Sequence, residues 1–260
     1  MDSTDANTAA VTLARAWREH DQIDELTASI RPADVTEAYD VQDRMIDAIP
    51  AMPVGWKVGA SNDNAMKRFG FSEPFYGRLL DSGMHTSPAS LSAAQFSRRG
   101  LETEFAFRLT SDLPAHAAPF DRAEVVAAAS ELLPAIEIID SRFSSWPEIS
   151  PFSFIADNGT HGCFIMGQPH SDWAGYDLSA QVARISVNGQ LVNEGSGSDV
   201  LGDPINALVW LANRLPAQGK QLEAGDVITT GTAAGVAWCD AGDAAVAEFG
   251  PFGSVTVAFT

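Results

Sequence analysis

Arg98-Arg99-Gly100-Leu101-Glu102-Thr103-Glu104-Phe105-Ala106-Phe107-Arg108-Leu109 is the stretch on which the fold turns. Aliphatic and aromatic residues recur in it at alternate positions, the period of a β-strand. Leu101, Thr103, Phe105 and Phe107 fall on one face of that strand, and Glu102, Glu104 and Ala106 on the other. Two carboxylates side by side on one face repel each other. In water the repulsion costs little, and Glu-x-Glu is then an ordinary solvated face. Enclosed by protein, the pair needs a positive partner, for which a divalent cation is the usual choice.

A second segment weighs toward enclosure. Leu132-Leu133-Pro134-Ala135-Ile136-Glu137-Ile138-Ile139-Asp140 is an apolar run of the kind found in buried strands, with Glu137 in its middle. A lone carboxylate in such a run is costly unless it is paired or bound to metal. Three carboxylates without a Cys or His cluster form an all-oxygen donor set, which suits Mg²⁺ or Mn²⁺ rather than zinc.

The 260 residues fit one large domain or a core with an N-terminal appendage, and 45% hydrophobic residues are ample for a packed interior. The expected division is a helical part over 1–53 and a β-rich catalytic domain over 54–260. A net charge of −18 argues against nucleic acid or an anionic membrane surface as partner. The apolar runs are too short to span a membrane, and Met1-Asp2-Ser3-Thr4-Asp5 lacks the features of a signal peptide. Cys163 and Cys239 read as free thiols, so a cytoplasmic location is expected. In so acidic a chain, a carboxylate substrate must find its positive field locally, from a metal or from particular lysines and arginines.

Amphipathic helices are expected over 8–20 and from about Asp34 to Ile49, as an N-terminal layer. Lys57 then sits in a short strand, Val54–Ala60, between Gly55 and Gly59. Most strand lysines are solvated, but a partly buried one near a metal site can bind a carboxylate or move protons. The two glycines would let backbone pass close to a ligand. Residues 81–97 read as irregular. Asp121 caps a helix expected to run through Leu133, where Pro134 ends it. Arg142 follows Glu137 and Asp140 closely. Asp157, Asn158 and His161 lie in a polar loop, and a lone loop histidine reads as bland. Asn188-Gly189 signals a type I′ hairpin, and Asp203-Pro204 opens a helix. The strand Gly225–Thr232 ends in hydroxyl residues able to hold a carboxylate, and a last hairpin joins Ala244–Phe249 to Ser254–Phe259. No Walker loop, Rossmann fingerprint or Gly-x-Ser-x-Gly elbow is present.

Taken in order, Gly55-Trp56-Lys57-Val58-Gly59, Glu102-Thr103-Glu104, Leu133-Pro134-Ala135-Ile136-Glu137, Ala156-Asp157-Asn158, Leu201–Ala207 and Thr230-Gly231-Thr232 form a specific set. The chain thereby resembles the 2-keto-4-pentenoate hydratase / 4-oxalocrotonate decarboxylase family of the fumarylacetoacetate hydrolase superfamily. The resemblance implies an α+β, β-rich fold, a mixed-sheet roll like the fumarylacetoacetase C-terminal domain, with an N-terminal helical part. It implies Mg²⁺ or Mn²⁺ on Glu102, Glu104 and Glu137, a small 2-oxo acid chelated there, and Lys57 as the proton-handling residue. Thr230, Gly231 and Thr232 match the substrate-carboxylate end; Asp157 and Asn158 match the same region, and Arg142 is added as a further cation. The implied reaction is hydration of a 2-hydroxy-2,4-dienoate, with decarboxylation of an oxalocrotonate-like diacid second and C–C hydrolysis third, in a homo-oligomer. Two positions depart from the pattern: many hydratases carry Pro-Asp-Phe/Tyr-Gly where this chain has Pro74-Phe75-Tyr76-Gly77, and Gly-His-Pro where it has Gly202-Asp203-Pro204.

Overall fold

The computed structural model describes every residue from Met1 to Thr260. Capping and apolar spacing set its first two helices. Asp2 accepts from the N–H groups of Thr4 and Asp5 at the start of α1 (Ser3–Glu19), and Asp34 accepts from Glu37 N–H at the start of α2 (Val35–Asp47). These bonds satisfy donors that no helical turn reaches. Leu13 and Ala14 of α1, and Val41, Met45 and Ile46 of α2, are buried in the same hydrophobic core as the strands.

The strands in chain order are β1 (Pro53–Gly59), β2 (Phe75–Leu80), β3 (Met84–Thr86), β4 (Ala89–Leu91), β5 (Gly100–Leu109) and β6 (Ala129–Ile139). After them come β7 (His161–Met166), β8 (Val182–Val187), β9 (Gln190–Ser196), β10 (Val227–Trp238), β11 (Ala244–Glu248) and β12 (Ser254–Phe259). Helices α3 (Asp63–Phe69), α4 (Arg122–Ala128), α5 (Pro151–Ala156) and α6 (Pro204–Arg214) connect them. One sheet has the order β2-β1-β10-β5-β6-β7-β3 and the other β4-β12-β11-β8-β9. Both are mixed: β1 runs parallel to β10, β3 to β7 and β12 to β4, while β5 is antiparallel to both its neighbours. The mixed-sheet α+β architecture expected from the sequence is present.

Both faces of β5 are covered. Leu101, Phe105 and Phe107 lie in the main core, and Ala106 packs on the other side with Leu133, Ala135 and Phe164. The carboxylate face is therefore enclosed. Burying each of these large apolar side chains contributes roughly 1.5–3 kcal/mol, the same order as the cost of desolvating a neighbouring carboxylate.

Three local expectations need correction. Asp121 and Glu124 form a full capping box, but α4 ends at Ala128, and β6 has already begun at Ala129. Pro134 thus lies inside a strand. It is tolerated because its carbonyl accepts from Gly167 N–H (2.8 Å) where β7 ends, so its missing N–H deprives no ladder partner. Residues 81–97 are not irregular: β3 and β4 each pair in parallel with a strand remote in sequence, which no local pattern signals. The Asn188-Gly189 turn is as expected, with φ of +51° and +77°.

Candidate active site

The register between β5 and β6 sets Glu102 directly opposite Glu137, with Glu104 opposite Ala135. On its other side Glu104 faces Thr232 of β10. One carboxylate oxygen from each of Glu102, Glu104 and Glu137 can be chosen so that all lie within 4.8 Å of one another. Glu104 and Glu137 are wholly buried, whereas Glu102 is half-buried and lines a cavity of about 550 Å³. Like charges opposed across strands destabilise a sheet, so this register is costly unless something positive sits among them.

Each buried carboxylate is satisfied on one oxygen and bare on the other. Glu104 Oε2 accepts from the Thr229 hydroxyl and from Gly231 N–H (2.7 Å). Gly231 has φ of +99°, and a Cβ there would stand 1.9 Å from Ser61 Oγ, so only glycine brings this N–H to Glu104. Glu137 Oε1 accepts from Lys57 Nζ and from His161 Nδ1, each at 2.8 Å. Glu104 Oε1 and Glu137 Oε2 have no partner. Two bare, buried carboxylate oxygens beside a third carboxylate fit a divalent, oxygen-seeking cation held by Glu102, Glu104 and Glu137.

The electrostatics agree. Burial, then the neighbouring Glu137 charge, push the Glu102 carboxyl up to about 7, against the pull of Lys57. Burial, then Glu137 and Glu102, push Glu104 well above the usual carboxylate range. Burial also opposes ionisation of Glu137, but Lys57 and His161 outweigh it and bring that carboxyl down to about 2. Burial likewise disfavours the Lys57 ammonium, yet Glu137 and then Glu102 more than compensate, and its pKa is raised. Three carboxylates thus share one lysine, which leaves two negative charges for a divalent cation to balance when all three are ionised.

Lys57 is buried, not solvated as most strand lysines are. Its ammonium donates to Glu137 and to the Gly159 carbonyl (2.8 Å), which leaves a third N–H for the cavity it lines. The glycines beside it serve packing rather than a ligand: a Cβ at Gly55 would meet the Val227 carbonyl oxygen at 2.0 Å, and one at Gly59 the Phe75 ring at 2.2 Å. Phe75, at the position where many hydratases carry an acid, lines the cavity, its ring centroid 5.6 Å from Lys57 Nζ.

Gly231 and Thr232 line the cavity; the Thr230 hydroxyl instead donates to the Phe105 carbonyl (2.6 Å). Arg142, Asp157 and Asn158 do not line it. The Arg142 guanidinium pairs with the Asp157 carboxylate and donates to the carbonyls of His161 (2.8 Å) and Asp157 (2.9 Å). Asn158 accepts from Arg78 N–H (2.7 Å) and donates to the Arg78 carbonyl (2.9 Å). These three residues brace the loop that carries Gly159 toward Lys57. Asp203 caps α6 and pairs with Arg122 (2.6 Å).

His161 is the residue that sequence reasoning passed over. It is fully buried, its Nδ1 stands 2.8 Å from Glu137 Oε1, and burial pulls its pKa down against the pull of Glu137. No local signal marked it: His161 stands at the head of β7, and only the pairing of that strand with β6 sets it beside Glu137.

A family model for the fumarylacetoacetate (FAA) hydrolase C-terminal region matches residues 92–260, which carry all three carboxylates. The chain belongs to the fumarylacetoacetate hydrolase family. It is 34% identical over 231 residues to the 2-hydroxyhexa-2,4-dienoate hydratase of Comamonas testosteroni, covering 87% of this chain and 86% of the relative. It is 29% identical to the 2-keto-4-pentenoate hydratase of Paraburkholderia phymatum over 100% of this chain and 99% of the other. In structure it is similar to the 4-oxalocrotonate decarboxylase of Pseudomonas putida G7, complexed with magnesium and adipate. The TM-score there is 0.93 at 26% identity, over 100% of this chain and 99% of that one. No helix of this family member is long and apolar enough to cross a membrane.

Proposed function

We propose that this protein is a metal-dependent hydro-lyase that adds water to a small 2-hydroxy-2,4-dienoate or the corresponding 2-oxo-enoate. The observation that carries the reading is the carboxylate triad with two bare oxygens, set beside the buried Lys57 ammonium. The hydratases among its relatives give the reaction class. Mg²⁺ is the ion proposed, in keeping with the magnesium complex of the related decarboxylase. When bound, the ion supplies Lewis-acid polarisation of the 2-oxo group.

The chain's own residues do the rest. Gly231 and Thr232 border the substrate carboxylate with a backbone and a hydroxyl group. Lys57 moves a proton through its free N–H: the dienol loses its hydroxyl proton and gains one at its terminal carbon, giving an α,β-unsaturated ketone, and water then adds across the double bond, its oxygen at the β-carbon and a proton at the α-carbon. Phe75, Phe154 and Trp146 wall the hydrocarbon tail and keep bulk water from the enol. Both cysteines are free and buried, which supports a reducing, cytoplasmic setting.

Decarboxylation of an oxalocrotonate-like diacid is the second reading, favoured by the full-length likeness to the solved decarboxylase. Hydrolysis of a C–C bond has less support, because His161 is committed to Glu137 and does not line the cavity as a base for water.

The test is direct: purified protein with Mg²⁺ is given 2-hydroxypenta-2,4-dienoate, and separately 4-oxalocrotonate. Loss of dienol absorbance with the product heavier by one water supports hydration. Loss of CO₂ from the diacid without water gain by the dienoate transfers the assignment to the second reading.

A further inference from the structure

Glu104 and Glu137, the two wholly buried carboxylates, each have one oxygen held by two donors and the other bare. The donors differ in kind. Those on Glu104 are a hydroxyl and a backbone N–H, which keep their protons throughout turnover. Those on Glu137 are Lys57 and His161. Lys57 is the residue proposed to move a proton, and once it has released one its hold on a carboxylate is much weaker. His161 has no task in the proposed reaction.

A ring nitrogen 2.8 Å from a carboxylate oxygen, as His161 Nδ1 is from Glu137 Oε1, carries a proton, since two bare acceptors would repel each other. The other ring nitrogen, Nε2, is buried and has no partner. A buried polar atom left bare costs stability, and an apolar side chain would fill the space without that cost. The imidazole is nonetheless fixed from two sides. Trp17 of α1 lies against it, with ring centroids 6.2 Å apart and planes 31° apart. The Arg142 guanidinium, 4.6 Å from the Trp17 ring centroid, donates to the His161 carbonyl (2.8 Å). Helix α1 and the Arg142–Asp157 pair thus converge on a ring whose polar partner is Glu137.

We propose that His161 is a positioning residue for the ion-holding carboxylate: its Nδ1–H fixes Glu137 Oε1, so that Oε2 stays free for the ion whichever proton state Lys57 is in. The inference rests on the metal site described under the proposed function and adds a residue that orients it from behind. Groups that never touch a metal commonly set the aim of those that do. A packed, planar ring suits the task, because it cannot swing its donor aside as a long flexible side chain can.

Calorimetric titration of the metal-free protein with Mg²⁺ alone tests the point, with circular dichroism to show that each variant folds. H161L is expected to bind Mg²⁺ roughly 10-fold or more weakly than the parent, the usual cost of losing a group that orients a ligand. H161N sets an amide N–H at the position of Nδ1, and its affinity should stay within about 3-fold of the parent. If H161L does not fold, H161Q replaces it with the same expected loss, because its amide lies one carbon beyond that position. Parent-like affinity without the Nδ1 donor overturns the inference and leaves the metal site standing. So does an equal loss in H161N, which would trace the effect to ring packing against Trp17. A parent protein that takes up no Mg²⁺ removes the metal site, and the inference falls with it.

Discussion

Lys57 Nζ stands 2.8 Å from Glu137 Oε1, with both side chains buried. On the proposed reading the pair ties proton handling to the metal site, since one carboxylate serves both. Replacing Lys57 by Ala is expected to lower kcat by about 10²–10⁴, the usual contribution of a positioned acid or base. Mg²⁺ should still bind, because all three carboxylates remain. K57R should fare little better than K57A, since a guanidinium keeps the charge but does not give up its proton. Steady-state rates beside calorimetric Mg²⁺ titrations check this. A loss of two- or three-fold would return Lys57 to a structural role.

The double variant E102Q/E104Q should lose metal-dependent activity and Mg²⁺ binding while keeping the circular dichroism of the parent. Amides of the same shape fill the space and remove the repulsion between opposed charges, so stability without metal should hold or rise. Retained turnover in this variant, or in the parent under strong chelator, contradicts the metal assignment.

The raised carboxyl of Glu102 sets a pH dependence of known sign. In the metal-free protein it titrates at about 7, above its unfolded value near 4.5. A folded-state pKa raised in this way gives stability that is complete below the unfolded value and lost as pH rises toward the folded one. The metal-free protein should therefore weaken between pH 5 and 7, by roughly 1.4 kcal/mol per pH unit for one such group. Bound Mg²⁺ holds the carboxylates ionised. The gain in Tm on adding Mg²⁺ should accordingly grow from pH 5.5 to pH 7.5, and a gain independent of pH would count against the shift.

Arg142 and Asp157 form a buried pair behind the site. Burial pushes the Asp157 carboxyl up, and Arg142 opposes that rise. D157N leaves the guanidinium charge without its partner, and a cost of about 3–5 kcal/mol follows. Denaturant melts should register the loss while KM of the surviving protein hardly moves. The reverse result, a raised KM at unchanged stability, would put Asp157 in contact with substrate.

Much of this was legible in the residues. Period-two alternation marked β5, and the charge inside an apolar run marked Glu137, because both are local patterns that water enforces. The caps at Asp121 and Asp203 and the Asn188-Gly189 turn were readable for the same reason. Long-range pairings were not. β3 and β4 are three-residue strands held by partners far along the chain. His161 joined the site through the β6–β7 neighbourhood, and Arg142 was drawn away from the cavity by Asp157, neither of which sequence distance reveals. Pro134 read as a helix stop since the gap in its neighbour's ladder is visible only in three dimensions.

The position of β10 has a temporal consequence. It lies between β1 and β5, so two strands made early wait with open edges until residues 227–238 leave the ribosome. Sheets closed by such distant pairing form slowly. Glu104 receives its Thr229 and Gly231 donors only at that moment. Completion of the carboxylate site is therefore a late event in the life of the chain, and a nascent or truncated product ending before β10 has exposed sheet edges and a Glu104 without those donors, a ready target for chaperones and proteases.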